Sequence, residues 1–352
     1  MNTSNDHEVS VKEEIDSIFM EKPHVLLFGA GASKAALPSG DKNGKSVPIL
    51  RELTTELNIF KYFPDDLVEL SKTDFESAYS QLFNRGKSKS LDEVDNIVSN
   101  YFSDLELPEE TNLYDLLHLS LREKDVIATF NWDPFLMQSR IRLCKLGVTK
   151  FPKLFFLHGN VRVGYCSKDK VSGLVGVRCE TCGNFFLPSK LLYPVENKNY
   201  QDGDFIQREW EAIRYFLKGC FMLTIFGYSA PKTDHEAIKL LKKEWGNVEE
   251  RNMEQTDIIN RPGSDHETLR QAWDNFIHTH HYDIYDSFYE SFLAKHPRRS
   301  GEAYWNQYYE AKFISDNPVP TDITGLKKTV DWFRPLMNLE DKKSGDKPKY
   351  VR

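Results

Sequence analysis

The sequence predicts an α/β protein built on a Rossmann-like, doubly wound parallel sheet. Three observations carry that expectation. Short apolar runs of buried-strand length alternate with helical patterns. A glycine-rich turn stands directly after the first run, and polar residues recur at the end of each later one, the edge where open α/β sheets gather their ligands. The predicted strands are His24 to Phe28, Asp125 to Thr129, Lys153 to Leu157, Phe221 to Phe226 and Thr256 to Ile259.

Between the first two strands, ILRELTTEL, DFESAYSQLF and LDEVDNIVSNYF each show helical periodicity, so residues 34–124 are expected to form a helical insertion. A cysteine-bearing stretch at about 164–195 is expected to form a small ribbon-like insertion. Near the C-terminus, YDIYDSFYESFL and YWNQYYEAKF read as aromatic helices. The stripe from Tyr282 to Phe292 would pack a helix onto the core or line an oligomer contact. A main domain is placed at 1–295, a helical extension at 296–340 and a flexible tail at 341–352, where DKKSGDKPKYVR is too polar to fold unaided.

With 352 residues, 40% hydrophobic and 13% aromatic, the chain can bury a large core. Its 46 basic side chains stand against 53 acidic ones, a net of -7, so no global positive field exists to hold a nucleic-acid backbone, and no direct nucleic-acid partner is expected. No apolar run approaches membrane-spanning length, and MNTSNDHEVSVKEE is polar and acidic where a signal peptide would be basic and then apolar. A cytoplasmic protein is the expectation. Five cysteines in so long a chain point to thiols or a metal site rather than a disulfide framework. Cys144 and Cys220 lie in apolar surroundings and read as buried thiols. His278, His280 and His281 read as a surface cluster at or near a helix, with no partner at ligand spacing.

Two glycine-rich stretches compete for a phosphate. Ser39 to Ser46, SGDKNGKS, falls short of a Walker A loop: a serine stands in place of the first glycine, and no buried strand precedes it. It reads as a polar turn bearing Lys45. Gly29-Ala30-Gly31-Ala32-Ser33 follows the strand VLLF and turns toward a helix, where backbone N–H groups face an anion and the missing side chains of Gly29 and Gly31 let a pyrophosphate approach.

Further polar signals follow in order, each after a predicted strand: Phe130-Asn131-Trp132-Asp133, then His158-Gly159, then Gly227-Tyr228-Ser229, then Asn260. Singly, each has a structural reading as a helix cap, a satisfied core histidine or a turn. As a string, GAGAS, TFNWD, HG, GYS and IN resemble the sirtuin family, whose motifs run GAG-x-S, TQN-x-D, HG, G-[ST]-S and IN across most of Val25 to Asn260. The resemblance implies NAD as the ligand. It places Gly29, Ala30, Gly31 and Ser33 around the pyrophosphate, Gly227 and Ser229 on the phosphate and ribose side, and Asn260 at the adenosine ribose. Asn131, Asp133 and His158 would surround the nicotinamide ribose as catalytic residues. Asp133 would hold the nicotinamide carboxamide, Asn131 would position a water or a ribose hydroxyl, and His158 would take a proton at neutral pH.

Where a deacylase has GIPDFR after the first turn, this chain has ALPSGDKNGKSVPIL and then DFESAYSQL, and the arginine of that loop has no counterpart. These segments look like the bacterial sirtuin-like branch of antiviral defence proteins, in which NAD is hydrolysed to nicotinamide and ADP-ribose. NAD-dependent protein deacylation is the alternative, and a non-catalytic NAD or ADP-ribose sensor is a third reading from another class. The resemblance makes a homo-oligomer and a regulatory partner, such as a hexameric ATPase, a helicase or a nuclease, part of the expectation. Cys166, Asp169, Cys179 and Cys182 stand where sirtuins carry a four-cysteine zinc ribbon, with Asp169 in place of the second cysteine. Either the four hold a structural zinc or the ribbon is vestigial.

Overall fold

The computed structural model describes residues 7–195, 204–230, 234–251, 253–277 and 280–343. Six parallel strands form the central sheet: β1 (His24–Phe28), β2 (Val126–Thr129), β3 (Lys153–Phe156), β4 (Met222–Phe226), β5 (Gln255–Ile259) and β6 (Tyr282–Tyr285). They lie side by side in the order β3-β2-β1-β4-β5-β6. This is the doubly wound Rossmann order, with its switch point between β1 and β4.

The first five strands fall where the apolar runs place them, because each run is continuous and bounded by turn residues. β1, β2, β4 and β5 are buried throughout, as inner strands of a parallel sheet are, while the edge strand β3 is only partly covered. Val25 and Leu27 join one core while Leu26 and Phe28 join the other, and β2, β4 and β5 divide their side chains in the same way. One core is closed by helices of the expected insertion together with the Leu326–Lys343 helix, and the other by the Asp204–Gly219 and His235–Trp245 helices. In the insertion, Leu91, Val94, Val98 and Phe102 make the buried stripe of the Lys89–Ser103 helix, which Ser88 caps by accepting from the Leu91 N–H.

β6 departs from expectation. Tyr282 to Tyr285 is an edge strand paired with β5, followed by a 3-10 turn at Phe288–Glu290 and one helical turn at Phe292–Lys295. The aromatic spacing fits a helical stripe, but three of the first four residues, Tyr282, Ile284 and Tyr285, are β-branched or aromatic, and β5 offers an open edge. Pairing with that edge wins.

The expected extension is clamped to the body by buried charge. Arg298 and Arg299 both bond Glu340, Arg122 bonds Glu302 at 3.0 Å, and His296 Nδ1 lies 2.9 Å from Glu14. The expected boundary at 295/296 falls inside this clamp. The last helix runs to Lys343, and residues 344–352 of the expected tail lie outside the described residues. Residues Val163–Cys166, Val171–Leu174 and Leu187–Pro188 form a separate three-stranded antiparallel ribbon. No helix among the described residues is long and apolar enough to cross a membrane.

Candidate functional site

The register aligns the last residues of all six strands. Phe28 faces Thr129 and Phe226, Thr129 faces Phe156, and Ile259 faces Phe226 and Tyr285. The loops that begin at Gly29, Phe130, Leu157, Gly227 and Asn260 therefore leave from one edge. Gly29 and Gly227 begin the two loops at the switch point, where open sheets form their ligand crevice.

Those two loops are joined backbone to backbone. The Gly31 N–H donates to the Gly227 carbonyl at 2.9 Å, the Gly29 N–H to Phe226 at 3.0 Å, and the Gly227 N–H to Ile259 at 3.0 Å. A Cβ on Gly29 would lie 2.6 Å from the Gly227 oxygen, and one on Gly31 would lie 2.8 Å from it. Gly227 has φ +59, and a Cβ there would run into the Ala32 backbone nitrogen. The missing side chains are thus required first by the contact between loops, and two N–H groups expected to face a pyrophosphate are committed to protein carbonyls. Gly31 is exposed and Ala30 half-buried.

Ser33, on the Ala30–Ala36 helix, is the hub of a buried network. Its hydroxyl donates to Asp133 Oδ2 at 2.8 Å and accepts from Asn131 Nδ2 and from the Tyr114 hydroxyl, each at 2.7 Å. Asp133 Oδ1 accepts from the Phe135 N–H at 3.3 Å and lies 3.5 Å from the Tyr114 hydroxyl. Burial pushes the Asp133 carboxyl up to about 6, and the bonds from Ser33, Phe135 and Tyr114 pull against that rise. Both its oxygens meet protein donors, so Asp133 organises Asn131 through Ser33.

His158 occupies a second corner. Its ring stands edge-on to Phe130 at 5.0 Å, and Phe130 stacks on Tyr228 at 3.9 Å. Asp234 accepts from the Tyr228 hydroxyl at 2.8 Å and places its other oxygen 3.7 Å from His158 Nε2, within reach of a charge pair. The helix Asp204–Gly219 grips the strand end beneath: Glu209 accepts from the Phe156 N–H at 2.6 Å and Trp210 donates to the Leu157 carbonyl at 2.9 Å. Asn160 ties the two corners, donating to the Asp133 backbone carbonyl at 2.6 Å.

The structure therefore brings Ser33, Asn131 and Asp133 into one network and sets His158 in an adjoining aromatic corner. Ser229 is exposed, and Asn260 is half-buried with its Oδ1 accepting from the Arg261 N–H at 2.9 Å. Residues expected near nicotinamide are buried, whereas Gly31 and Ser229 are exposed and Asn260 is half-buried. Tyr114, Asn160, Tyr228 and Asp234 were not singled out from sequence. Asn160 directly follows His158-Gly159 and carried a usable signal; Tyr114 sits in an ordinary helical pattern and carried none.

The Ser39–Ser46 loop is tied to itself and to Glu106, whose carbonyl accepts from the Lys42 N–H at 2.8 Å. Asp41 Oδ1 accepts from the Asn43 and Lys45 N–H groups at 2.8 Å each, and its Oδ2 accepts from Glu106 at 3.0 Å. An internal carboxylate holds the donors that a phosphate would need. Lys45 pairs with Asp104 at 3.5 Å.

In the ribbon, the ligating atoms of Cys166, Asp169, Cys179 and Cys182 all lie within 4.8 Å of one another. Cys166 Sγ stands 3.5 Å from Cys182 Sγ, and Cys179 Sγ 3.1 Å from Asp169 Oδ2. Each pair sits on a similar knuckle: Lys170 N–H returns to the Cys166 carbonyl and Gly183 N–H to that of Cys179, both at 2.8 Å. Lys170 and Gly183 both have positive φ. Tetrahedral zinc with bonds near 2.3 Å separates its ligands by about 3.8 Å, so three sulfurs and a carboxylate so placed fit that ion.

Two further expectations change. Cys220 is buried, whereas Cys144 is exposed, because it lies on the outer side of the Phe135–Lys145 helix whose Leu136 and Leu143 face the core. His281 is buried and bonds the Tyr304 hydroxyl at 2.6 Å, so it belongs to the packing and not to a surface cluster; His280 is exposed, and His278 lies outside the described residues.

No family model matches the sequence, and neither does any curated protein. Among solved structures, the chain is similar to a Sir2 homologue in complex with NAD, at 14% identity over 83% of this chain and 93% of that one, with a TM-score of 0.37. A structure described as the basis for the mechanism and regulation of Sir2 enzymes matches at 14% identity over 84% and 96%, TM-score 0.37. A Sir2 complex with an inhibitor, 2'-O-acetyl-ADP-ribose and a deacetylated p53 peptide matches at 17% over 82% and 94%, TM-score 0.34. Likeness at that level leaves the reading of this chain to its own topology and side chains.

Proposed function

We propose that this chain is an NAD glycohydrolase that cleaves NAD to nicotinamide and ADP-ribose, acting as an NAD-depleting effector in bacterial antiphage defence. The observation that carries the reading is the Ser33–Asn131–Asp133 network at the ends of β1 and β2, beside the switch point of a Rossmann sheet. Its residues belong to the GAGAS and TFNWD motifs of the sirtuin-like string, yet they lie about a hundred positions apart in the chain.

Loss of nicotinamide builds positive charge on the ribose, so the site must orient a nucleophile and accept its proton. Asn131, held by Ser33, positions a ribose hydroxyl or the attacking water. His158 accepts the proton, and Asp234 beside Nε2 stabilises the imidazolium that results. The exposed Gly31 and Ser229 would meet the phosphates and the nearby ribose, and the half-buried Asn260 the adenosine ribose. Cys166, Asp169, Cys179 and Cys182 would hold a structural zinc that pins the two knuckles of the ribbon together.

The test is purified chain incubated with NAD and resolved by chromatography, alone and with a candidate activating partner, and with or without acetylated peptide. Nicotinamide and ADP-ribose should appear in equal amounts at a rate the peptide does not raise. Recovery of O-acetyl-ADP-ribose matching the nicotinamide would make deacylation the activity. Nucleotide binding without turnover in every condition would leave a sensor.

A further inference from the structure

The hub at Ser33 has a definite proton count. A serine hydroxyl offers one proton and two lone pairs. Here the proton goes to Asp133 Oδ2, and the lone pairs face Tyr114 and Asn131 Nδ2. While Asp133 is ionised, Ser33 has no proton for Asn131, so the amide must turn its NH2 group toward Ser33 and leave Oδ1 turned away from the hub. Were Asp133 to gain a proton, it would donate to Ser33, Ser33 would donate to Asn131, and the amide would have to invert.

Tyr114 guards the first arrangement from outside the sequence motifs. It is fully buried on the Leu113–Ser120 helix, 81 residues from Ser33 in the chain, and its hydroxyl reaches both Ser33 and Asp133. Burial holds its phenol well above the ordinary range, so it remains a donor. The groups that act on Asp133 are Ser33, the Phe135 amide and Tyr114, and no basic side chain is among them.

We propose that Tyr114 is a positioning residue: by donating its one proton to Ser33, 2.7 Å away, it fills a lone pair there and turns the Ser33 proton to Asp133, so that Asn131 presents an acceptor oxygen to a hydroxyl of the ligand. This rests on the NAD reading only for the identity of that hydroxyl. The hub exists without ligand and can be tested without it.

The experiment compares wild type, Tyr114→Phe and Ser33→Ala, with thermal melts confirming that each folds. In ligand-free protein, the Asp133 carboxyl is followed by carbon NMR and the Asn131 side-chain amide by nitrogen-proton NMR against pH. The two should titrate with one midpoint near 6 in wild type, and Tyr114→Phe should move both upward by about half a unit, since it removes the donor that turns the Ser33 proton toward the ionised form. In Ser33→Ala the Asn131 amide should cease to follow Asp133. With NAD, Tyr114→Phe should lower kcat about tenfold with KM within about twofold, and shift the acid limb upward by the same half unit. Unmoved midpoints, or an Asn131 amide indifferent to Asp133, would overturn the proposal, as would a shifted midpoint with unchanged kcat. If the NMR behaviour holds and no form cleaves NAD, the hub stands and the hydrolase reading fails.

Discussion

The two glycine-rich loops between His24 and Ser46 use the same chemistry in opposite ways. At Gly29 to Gly31 the backbone donors are committed to a distant loop, through the carbonyls of Phe226 and Gly227. At Ser39 to Ser46 those of Asn43 and Lys45 are committed to a carboxylate within the loop, Asp41, and that of Lys42 to the Glu106 carbonyl. The first arrangement joins the two elements at the switch point, where open sheets form their ligand crevice. The second follows a helix rather than a strand and is fastened to the backbone of Glu106. A glycine-rich sequence therefore marks a candidate site when its close approaches join two loops at the switch point of the sheet.

The largest break in this contrast should come from Gly227→Ala. Its Cβ would meet the Ala32 nitrogen at a positive φ, so we expect a loss of about 3 kcal/mol or more in denaturant unfolding, with NAD binding lost alongside. A variant as stable as wild type would show that the two loops need not touch. Next, Asn131→Ala and His158→Ala should each reduce NAD cleavage about a hundredfold or more while shifting the melting temperature by only a few degrees. Wild-type rates in either would remove that residue from the chemistry.

Smaller effects are expected in the second loop. Asp41→Ala strands the donors of Asn43, Lys45 and Glu106 and should cost about 1–3 kcal/mol, with the NAD affinity of the folded protein unchanged. The least should come from Lys45→Ala, whose exposed pair with Asp104 is worth within about 0.5 kcal/mol. Titration calorimetry with NAD checks both. Weakened binding in Lys45→Ala would erase the distinction between the loops.

Much of the fold was legible because the relevant patterns are local. The runs at His24 and Met222 are continuous and apolar, and each ends in a turn residue, which specifies a doubly buried strand wherever the rest of the chain goes. Tyr282 to Tyr285 was harder, since its aromatic spacing fits a helix and its residue types a strand, and the free edge of β5 decided between them. Cys144 misled for a related reason. Its apolar neighbours in sequence do not tell which side of the helix it takes, and it faces outward.

The sequence by itself determined where five of the six strands lie and which polar residues follow their C-terminal ends, because both follow from periodicities a few residues long. It also determined that four zinc-competent side chains share one ribbon. What only the tertiary structure decided is how each polar atom is used. The donors of Gly29 and Gly31 turn to the neighbouring loop, Asp133 faces Ser33, and Tyr114 enters the hub from a helix with no sequence mark. A hydroxyl has one proton and a backbone amide one hydrogen, so its partner is settled by which loop arrives within about 3 Å. That loop lies 81 residues away for Tyr114 and 98 for Asn131, beyond the reach of any local pattern.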